Sequence, residues 1–233
     1  MTESHNPWSA ALDERIGRPE QAKWATFYER RDRACPFFVD APDENLVRWL
    51  RAGRIAPGHA LDLGCGHGRN ALHLARAGFR VRAVDYSPSA VAWARERIAA
   101  SGLDVRLAQQ SVFDLDPAVD GDADFVYDSG CFHHLPPHRR TSYVDLVARL
   151  LKPGAHFGLV CFRPEGGSGL TDDEVLERGH VGGGLGYTER QLRDIWSRGF
   201  DVLDVTPMEE HPPGSDRFGR SFLWAVLACR LGG

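Results

Sequence analysis

Cysteine is scarce in this sequence, and the few cysteines are scattered. Five occur in 233 residues, and no two of them form a C-x-x-C pair (Cys35, Cys65, Cys131, Cys161 and Cys229). A disulfide framework and a zinc ribbon both need cysteines at close, regular spacing, so the sequence favours neither. Isolated cysteines are typical of a reducing compartment. We therefore expect a cytoplasmic protein without a structural metal site.

Long apolar runs and a large net charge are also missing. No apolar stretch approaches the roughly 20 residues that span a bilayer, and the opening MTESHNPWSA lacks the basic flank and apolar segment of a secretory signal. Lys and Arg total 28 against 32 Asp and Glu, for a net charge of −4. This balance gives no reason to expect a phosphate backbone as partner. We expect neither a membrane nor a nucleic-acid partner.

Short apolar segments alternate with helical ones from residue 57 onward. Strands and helices at this spacing form parallel pairs with right-handed crossovers. The last two apolar segments, FDVLDVTPM and RSFLWAVLACR, are joined by a short link and should be antiparallel neighbours. The sequence therefore predicts an α/β fold: a doubly wound, mostly parallel sheet with an antiparallel C-terminal strand pair. The other predicted strands are HALDLG, FRVRAVD, LDVRLAQQ, ADFVYD and AHFGLVCF.

The domain organisation follows from the change of pattern along the chain. Residues 1–55 carry a helical rhythm around several aromatic residues and are predicted to form an N-terminal helical cap. Residues 56–233 are predicted to form one domain, in which the glycine-bearing stretches EGGSGL and HVGGGLGY make 164–187 a mobile loop.

Capping residues mark several helix ends. A helix in the N-terminal cap is expected to start at Pro42. Ser87 is a predicted N-cap and Gly102 a predicted helix stop. Thr188 and Gln191 have the spacing of a capping box.

The stretch ALDLGCGHGRN places three glycines at alternate positions after a strand that contains one acid. A dinucleotide fingerprint, G-x-G-x-x-G, would need a glycine where Arg69 stands. The pattern present is D-x-G-x-G-x-G, formed by Asp62, Gly64, Gly66 and Gly68. An acid next to a glycine turn suits a ligand with a positively charged end.

A second acid, Asp85, ends the next strand about 20 residues further on, where it can accept the hydrogen bonds of a ribose diol. With QQSVFDLD, ADFVYDSG and LLKPGA following in order, the pattern resembles the class I S-adenosylmethionine (SAM)-dependent methyltransferases, over roughly Ala60 to Phe162. This resemblance implies a Rossmann-like fold and SAM as cofactor.

The resemblance also implies roles for individual residues. Gly64 and Gly66 would admit the methionine portion of the cofactor, Asp62 would meet its ammonium group, and Asp85 would bind the ribose hydroxyls. Ser111 stands where many relatives carry an aspartate for the adenine amine, while the Val112 backbone could still bond the ring. The remaining cofactor-binding candidates are Cys65, Gly68, Asn70, Tyr86 and Asp128.

The acceptor is expected beside VYDSGCFHHLPPHRR, which follows the fourth strand. Asp128, His133 and His134 are the predicted catalytic groups. The alternatives are a loop-capping carboxylate for Asp128, and a helix-start or packing role for the histidines. Metal binding by the two histidines together with His138 is disfavoured, because Pro136 and the proline after it interrupt any helical face.

The segments WATFYERRDRACPFF and GHGRNALHLARAGFRVRAVDYSPSA look like the small-molecule branch that includes tellurite-, thiopurine- and thiol-type methyltransferases. That branch implies an N-terminal lid over the cofactor, with Trp24, Phe27, Tyr28 and Phe37 as lid candidates. Ordinary core packing is the alternative for these four aromatics.

The same branch implies a small-molecule acceptor, with a thiol as first choice and a hydroxyl of a secondary metabolite as the alternative. The D/N-P-P-aromatic motif of base-amine methylation is missing, which disfavours a nucleic-acid substrate. Two other classes stay open: a non-catalytic SAM-binding module, and a nicotinamide oxidoreductase, which the missing third dinucleotide glycine opposes. The protein is expected to be a monomer or a homodimer.

Overall fold

Seven strands and nine helices are found in a computed structural model that describes residues 7–232. The strands are β1 (His59–Leu63), β2 (Arg80–Asp85), β3 (Val105–Gln109), β4 (Ala123–Ser129), β5 (Leu151–Phe162), β6 (Phe200–Pro207) and β7 (Leu223–Arg230). The helices are α1 (Pro7–Leu12), α2 (Arg18–Phe27), α3 (Glu44–Arg51), α4 (Arg69–Arg76), α5 (Pro88–Ser101), α6 (Pro117–Asp120), α7 (Arg140–Leu150), α8 (Asp172–Arg178) and α9 (Glu189–Trp196). A π-helical turn, Asp13–Gly17, joins α1 to α2.

The strands form one sheet in the order β3-β2-β1-β4-β5-β7-β6. The pairs β1–β2, β2–β3, β1–β4 and β4–β5 are parallel, and β7 is antiparallel to both β5 and β6. The predicted doubly wound sheet with an antiparallel C-terminal pair is therefore confirmed. The strand order reverses between β1 and β4, where open sheets of this kind form a crevice at the carboxyl ends of their strands.

Both faces of the sheet are buried, which explains why its strands are rich in apolar residues. On one face Tyr143 of α7 and Trp196 of α9 pack against the strands. On the other face Trp49 of α3 and Leu74 of α4 do the same. Both layers hold the loops at the carboxyl ends of the strands in place.

Three predicted helix ends are confirmed. The Oγ of Ser87 accepts a hydrogen bond from the amide of Ala90 at the start of α5, and Gly102 ends that helix with φ of 67°. Thr188 and Gln191 form both bonds of a capping box at the start of α9.

The helix predicted to start at Pro42 begins two residues later, at Glu44. Asp43 is extended, with φ −61° and ψ 137°, because its amide donates to Oδ1 of Asn70 at 3.0 Å. The neighbouring amide of Phe218 donates to the carbonyl of Pro42 at 2.7 Å. Long-range pairing therefore overrides the local preference of proline for the first helical turn.

The predicted mobile loop contains a helix that the pattern did not predict. Thr171 and Glu174 form a capping box at the start of α8, and Val175 of this helix is fully buried. Two glycine-rich stretches flanking this short helix concealed its signal. The mobility of 164–187 stays a prediction.

The segment before α3 packs on the helix that follows β2. Ser87 donates its hydroxyl hydrogen to the carbonyl of Trp24, and Ser89 does so to the carbonyl of Ala25, both at 2.8 Å. Ile16 of the π-helical turn is fully buried. Residues 1–6 and residue 233 lie outside the described residues. The expectation about a leader and the predicted start of the cap both fall on residues 1–6. Within 7–232, no helix has the length and apolar character needed to cross a membrane.

Candidate active site

A cavity of about 660 Å³ lies at the carboxyl edge of the sheet. Its walls come from the loops after β1, β2, β3 and β4, from the end of β5, from the start of β7, and from the segment 10–37. It therefore extends along the sheet edge from β3 to β7, across the point where the strand order reverses.

The turn after β1 needs glycine for two separate reasons. Gly64 and Gly66 line the cavity and have φ of 65° and 55°, a left-handed conformation that other residues adopt at a cost. A Cβ on Gly64 would lie 2.8 Å from Cβ of Cys131, and one on Gly66 would lie 2.7 Å from the hydroxyl oxygen of Tyr28. The turn is consequently in close contact with the loop after β4 and with α2.

Gly68 makes a packing contact beside the cavity. Its φ is 81°, and it precedes the first turn of α4. A Cβ there would meet Cβ of Ala94 in α5 at 3.4 Å, and Gly68 is not among the described residues that line the cavity. The third glycine therefore allows close packing of α4 on α5, and its cofactor contact stays a prediction from the sequence.

Asp62 is 2% exposed and lines the cavity. Its Oδ2 has no hydrogen-bond partner among residues 7–232. Burial raises the pKa of this carboxyl to about 8, although the nearby Arg69 acts in the opposite direction. A buried carboxylate oxygen without a partner is costly unless a ligand supplies a donor or a positive charge. Asp62 thus fits the ammonium group that the sequence predicted for it.

Asp85 connects the glycine turn to α5. Its Oδ1 accepts from the amide of Ser87 at 2.8 Å, and its Oδ2 accepts from the amide of Gly66 at 2.9 Å. Burial raises the pKa of Asp85 to about 6. Each carboxylate oxygen still has a lone pair for another donor, and the residue lines the cavity, so a diol remains compatible with this site.

The loops after β2 and β3 form one end of the cavity, where Tyr86, Ser111 and Val112 line the wall. The Oγ of Ser111 accepts from the amide of Phe113 at 3.2 Å, so the hydroxyl caps a short 3-10 turn. The Tyr86 hydroxyl donates to a backbone carbonyl of α2, that of Glu20, at 3.4 Å. The cap that Ser111 forms holds the backbone around Val112 at the cavity wall.

Cys65 and Asn70 also line the cavity, but the Asn70 amide is engaged elsewhere. Its Nδ2 donates to Oδ2 of Asp43 at 2.9 Å, and its Oδ1 accepts from the Asp43 amide. Arg69 lies 2.6 Å from the other oxygen of Asp43, with both side chains buried, and also donates to Oγ of Ser129 at 3.3 Å. The buried ion pair of Arg69 with Asp43 carries no local sequence signal, because the two residues are far apart in the chain.

Asp128 lies near the carboxyl end of β4. It is completely buried, and it is not among the described residues that line the cavity. Its carboxylate accepts from the amides of Cys131 and Phe132, at 2.7 and 3.0 Å, and from the hydroxyl of Tyr143 at 2.6 Å. These bonds fit the loop-capping alternative, and the catalytic role and cofactor contact of Asp128 stay predictions from the sequence.

His133 and His134 both line the cavity. The ring of His133 stacks on Phe162 with centroids 3.9 Å apart, and the ring of His134 meets Trp24 edge-on at 4.7 Å. The Nδ1 atoms of both rings are buried without a hydrogen-bond partner in the described part of the chain. Burial lowers the pKa of His133 to about 3 and that of His134 well below its ordinary value. Both imidazoles are therefore neutral near pH 7.

Potential metal ligands come together at one place outside this cavity. Glu44, Glu209 and His211 have ligand atoms within 4.8 Å of one another. The oxygens of Glu44 already accept from the Glu209 amide at 2.7 Å and contact Nε2 of His211 at 2.6 Å. His138, which the sequence offered as a third metal ligand beside His133 and His134, contacts Asp13 at 2.9 Å.

Much of the aromatic wall of the cavity carries no local sequence signal. Of the four lid candidates, Trp24, Tyr28 and Phe37 line the cavity, but Phe27 does not. Four further phenylalanines line it, Phe113, Phe162, Phe218 and Phe222. The last two fall in the C-terminal loop before β7, where no periodicity marks them.

Sequence comparison relates the chain mainly to methyltransferases, and one further relative is named Hemagglutinin 1 of Eikenella corrodens. Residues 60–154 match the family profile described as a methyltransferase domain. The 2-heptyl-1-hydroxyquinolin-4(1H)-one methyltransferase of Mycobacteroides abscessus is 26% identical over 179 residues, which are 77% of this chain and 74% of that protein. Other curated relatives are matched over only 33% to 53% of their own length, so the chain spans less than two thirds of those proteins.

Solved structures agree with the sequence comparison. A protein of echinomycin biosynthesis, described with the conversion of a disulfide bond into a thioacetal group, has a TM-score of 0.67 and 26% identity, over 84% of both chains. The magnesium protoporphyrin IX methyltransferase of Synechocystis PCC 6803, with bound S-adenosylhomocysteine (SAH), has a TM-score of 0.60 and 26% identity, over 80% of both chains.

Proposed function

We propose that this chain, which belongs to the class I SAM-dependent methyltransferases as its sequence predicted, is an active enzyme. It transfers the methyl group of SAM to a small-molecule nucleophile, and both molecules bind in the cavity at the carboxyl edge of the sheet. The observation that carries this proposal is Asp62, a buried carboxylate with an unpartnered oxygen at the wall. A positively charged ligand end would satisfy it. The cavity then continues past the glycine turn to the end of β5 and the start of β7, which leaves room for an acceptor.

SAM supplies a methyl group on a positively charged sulfur, which is already an activated electrophile. The chain therefore contributes mainly by holding the reactants in line, which is worth several kcal/mol. In our proposal Asp62 holds the ammonium group and Asp85 the ribose. The turn through Gly64 and Gly66 lets the methionine portion approach the backbone closely.

A thiol or similarly soft acceptor is the first choice for the nucleophile. The pKa of His133 is near 3, whereas that of a thiol is about 8.5. Transfer of the proton from the thiol to His133 would therefore have to overcome a difference of about 5 pKa units, which costs on the order of 7 kcal/mol. A phenol near pKa 10 would be worse. The buried imidazoles are therefore poor general bases, and they favour an acceptor that ionises without help.

A hydroxyl acceptor is the second candidate. Two observations favour it: the unpartnered Nδ1 atoms of His133 and His134 at the cavity, and a relative whose name includes a hydroxyquinolone substrate. In this case an imidazole would accept the hydroxyl hydrogen bond, and its pKa would have to rise when the acceptor binds. A small-molecule partner without nucleic acid, a cytoplasmic location, and a monomer or homodimer stay predictions from the sequence.

The experiment combines binding with a pH profile. Calorimetry should detect SAH binding, and methyl-labelled SAM should give a methylated thiol in a screen of thiols, phenols and amines. The rate should rise with the ionisation of the acceptor's own thiol, near pH 8.5 for an alkyl thiol and lower for an aromatic one, and the profile should keep its shape in His133→Asn. An inflection with a hydroxyl acceptor that disappears in His133→Asn would replace the thiol with the second candidate.

Two further outcomes would remove the enzyme proposal. SAH binding without turnover of any acceptor would leave a non-catalytic SAM-binding module. NADH binding that competes with SAH would point to an oxidoreductase.

A further inference from the structure

Five rings form a continuous row along one side of the cavity. Neighbouring ring centroids lie 4.7 Å apart from Trp24 to His134, 4.3 Å from His134 to His133, 3.9 Å from His133 to Phe162, and 6.0 Å from Phe162 to Phe222. All five residues line the cavity. We call this set the aromatic row.

The phenylalanine end of the aromatic row lies away from the predicted cofactor groups, whereas Trp24 at the other end accepts a hydrogen bond from Ser87, next to Asp85. Phe162 ends β5 and Phe222 precedes β7, whereas Asp85 ends β2 and Ser111 follows β3. In the sheet, β5 and β7 lie on one side of the β1–β4 pair, and β2 and β3 lie on the other. The acceptor proposed above would therefore be bound against the aromatic row.

The charges near this row are balanced. His133 and His134 are neutral because burial lowers their pKa values. Arg69, which also lines the cavity, is 2.6 Å from the buried Asp43 and lies over the ring of Phe218 at 4.5 Å. These described side chains therefore have no unpaired positive charge that could bind an anionic acceptor. A cationic acceptor would meet the neutral rings of the row.

We propose that the acceptor is an uncharged, flat aromatic molecule that packs on the aromatic row, and that its nucleophilic atom is an ionisable substituent on the ring. This inference rests on the proposed function and specifies its substrate class. Ring contacts of this kind add about 2- to 12-fold in affinity beyond the apolar area they bury. Conjugation with a ring also makes a thiol or hydroxyl more acidic than its aliphatic counterpart, which suits a site without an effective base.

The chemical step is balanced without a further reagent. The proton of the ring substituent leaves to solvent on ionisation. The bond between the methyl carbon and the sulfonium sulfur breaks as the bond to the acceptor atom forms. The electron pair of the broken bond stays on sulfur, so the products are SAH and the methylated acceptor.

The test measures equilibrium binding to the full chain saturated with SAH, using matched ligands: thiophenol against cyclohexanethiol, and phenol against cyclohexanol. We expect each aromatic ligand to bind about 2- to 12-fold more tightly than its saturated partner. Phe162→Leu should remove most of this difference while the Kd of SAH stays the same. Phe200→Leu removes the same atoms from a buried ring at the start of β6, which is not among the described residues lining the cavity, and serves as the matched control.

The outcomes separate this inference from the function on which it rests. Equal binding of aromatic and saturated ligands, with normal SAH binding, would overturn the aromatic acceptor and leave the methyltransferase proposal intact. Failure to bind SAH would overturn the proposed function instead. If circular dichroism shows that Phe162→Leu is unfolded, Phe222→Leu at the other end of the row gives the same comparison, and unchanged selectivity there would count against the proposal.

Discussion

Gly66 shows how one missing side chain determines whether a ligand can enter. Its φ of 55° and the Tyr28 hydroxyl 2.7 Å from the position of a Cβ both oppose any larger residue. We expect Gly66→Ala to lower the free energy of unfolding by about 1 to 3 kcal/mol and to abolish SAH binding. Gly66→Val should have a larger effect, because a branched side chain fills more of the cavity. Urea unfolding and calorimetry measure the two quantities.

Gly102 provides the matched control for this prediction. It has a similar φ of 67°, but no described atom lies within 4 Å of a Cβ built there, and it ends α5 away from the cavity. Gly102→Ala should therefore show the backbone cost alone and bind SAH normally. If both alanine variants lose the same stability and both bind SAH, the turn at Gly66 has only a packing role.

At the scale of the elements, the segment through Phe38 is the part of the protein predicted to act as a lid. Its hydrogen bonds to α5 run from Ser87 and Ser89 to backbone carbonyls of α2, and Trp24 and Tyr28 reach the cavity. We expect SAH to slow amide hydrogen exchange in 18–38, because a ligand beneath these side chains adds contacts that only the closed segment makes.

The internal reference for this exchange experiment is the part of β7 from residue 225 to 228, which is buried and is not among the described residues lining the cavity. Its exchange should be the same with and without SAH. Equal exchange in 18–38 under both conditions would show that the segment is ordinary core packing, the alternative that the sequence left open for its aromatic residues.

The elements that could be predicted from the sequence are those whose signal is local. The sheet, the Ser87 N-cap and the Thr188 capping box follow from apolar periodicity and from side chains a few residues apart. The start of α3 was wrong because pairing of Asp43 with Asn70, 27 residues away, decides it. The buried contacts of Asp128 could not be predicted for a related reason, because the hydroxyl that donates to its carboxylate belongs to Tyr143 on another element.

The aromatic row was only partly predictable. His133 and His134 stand out because they follow β4 directly. Phe162 and Phe222 resemble any other apolar residue at a strand end until the antiparallel pairing of β5 with β7 brings them together.

At the scale of the whole molecule, two sets of buried groups act on stability in opposite directions as the pH changes. Burial lowers the pKa values of His67 to about 4 and His133 to about 3, so the folded state binds fewer protons than the unfolded state up to about pH 6.5, and stability rises with pH. Burial raises the pKa values of Asp62 and Asp128 from 3.8 to about 8 and about 7. For these acids the folded state binds more protons, and stability falls as pH rises.

Above about pH 7.5, one unit beyond the pKa of an unfolded histidine, the histidine contribution changes little, and the buried acids set most of the slope. We therefore expect the free energy of unfolding of the ligand-free protein to fall between about pH 7.5 and 8.5, measured by urea unfolding. Asp62→Asn should reduce that fall, by up to about 1.4 kcal/mol per pH unit. Saturating SAH should also reduce it, because an ammonium group beside Asp62 lowers the pKa of that carboxyl. A fall that is the same with SAH, without SAH and in Asp62→Asn would mean that Asp62 is not the group that meets the cofactor's positive charge.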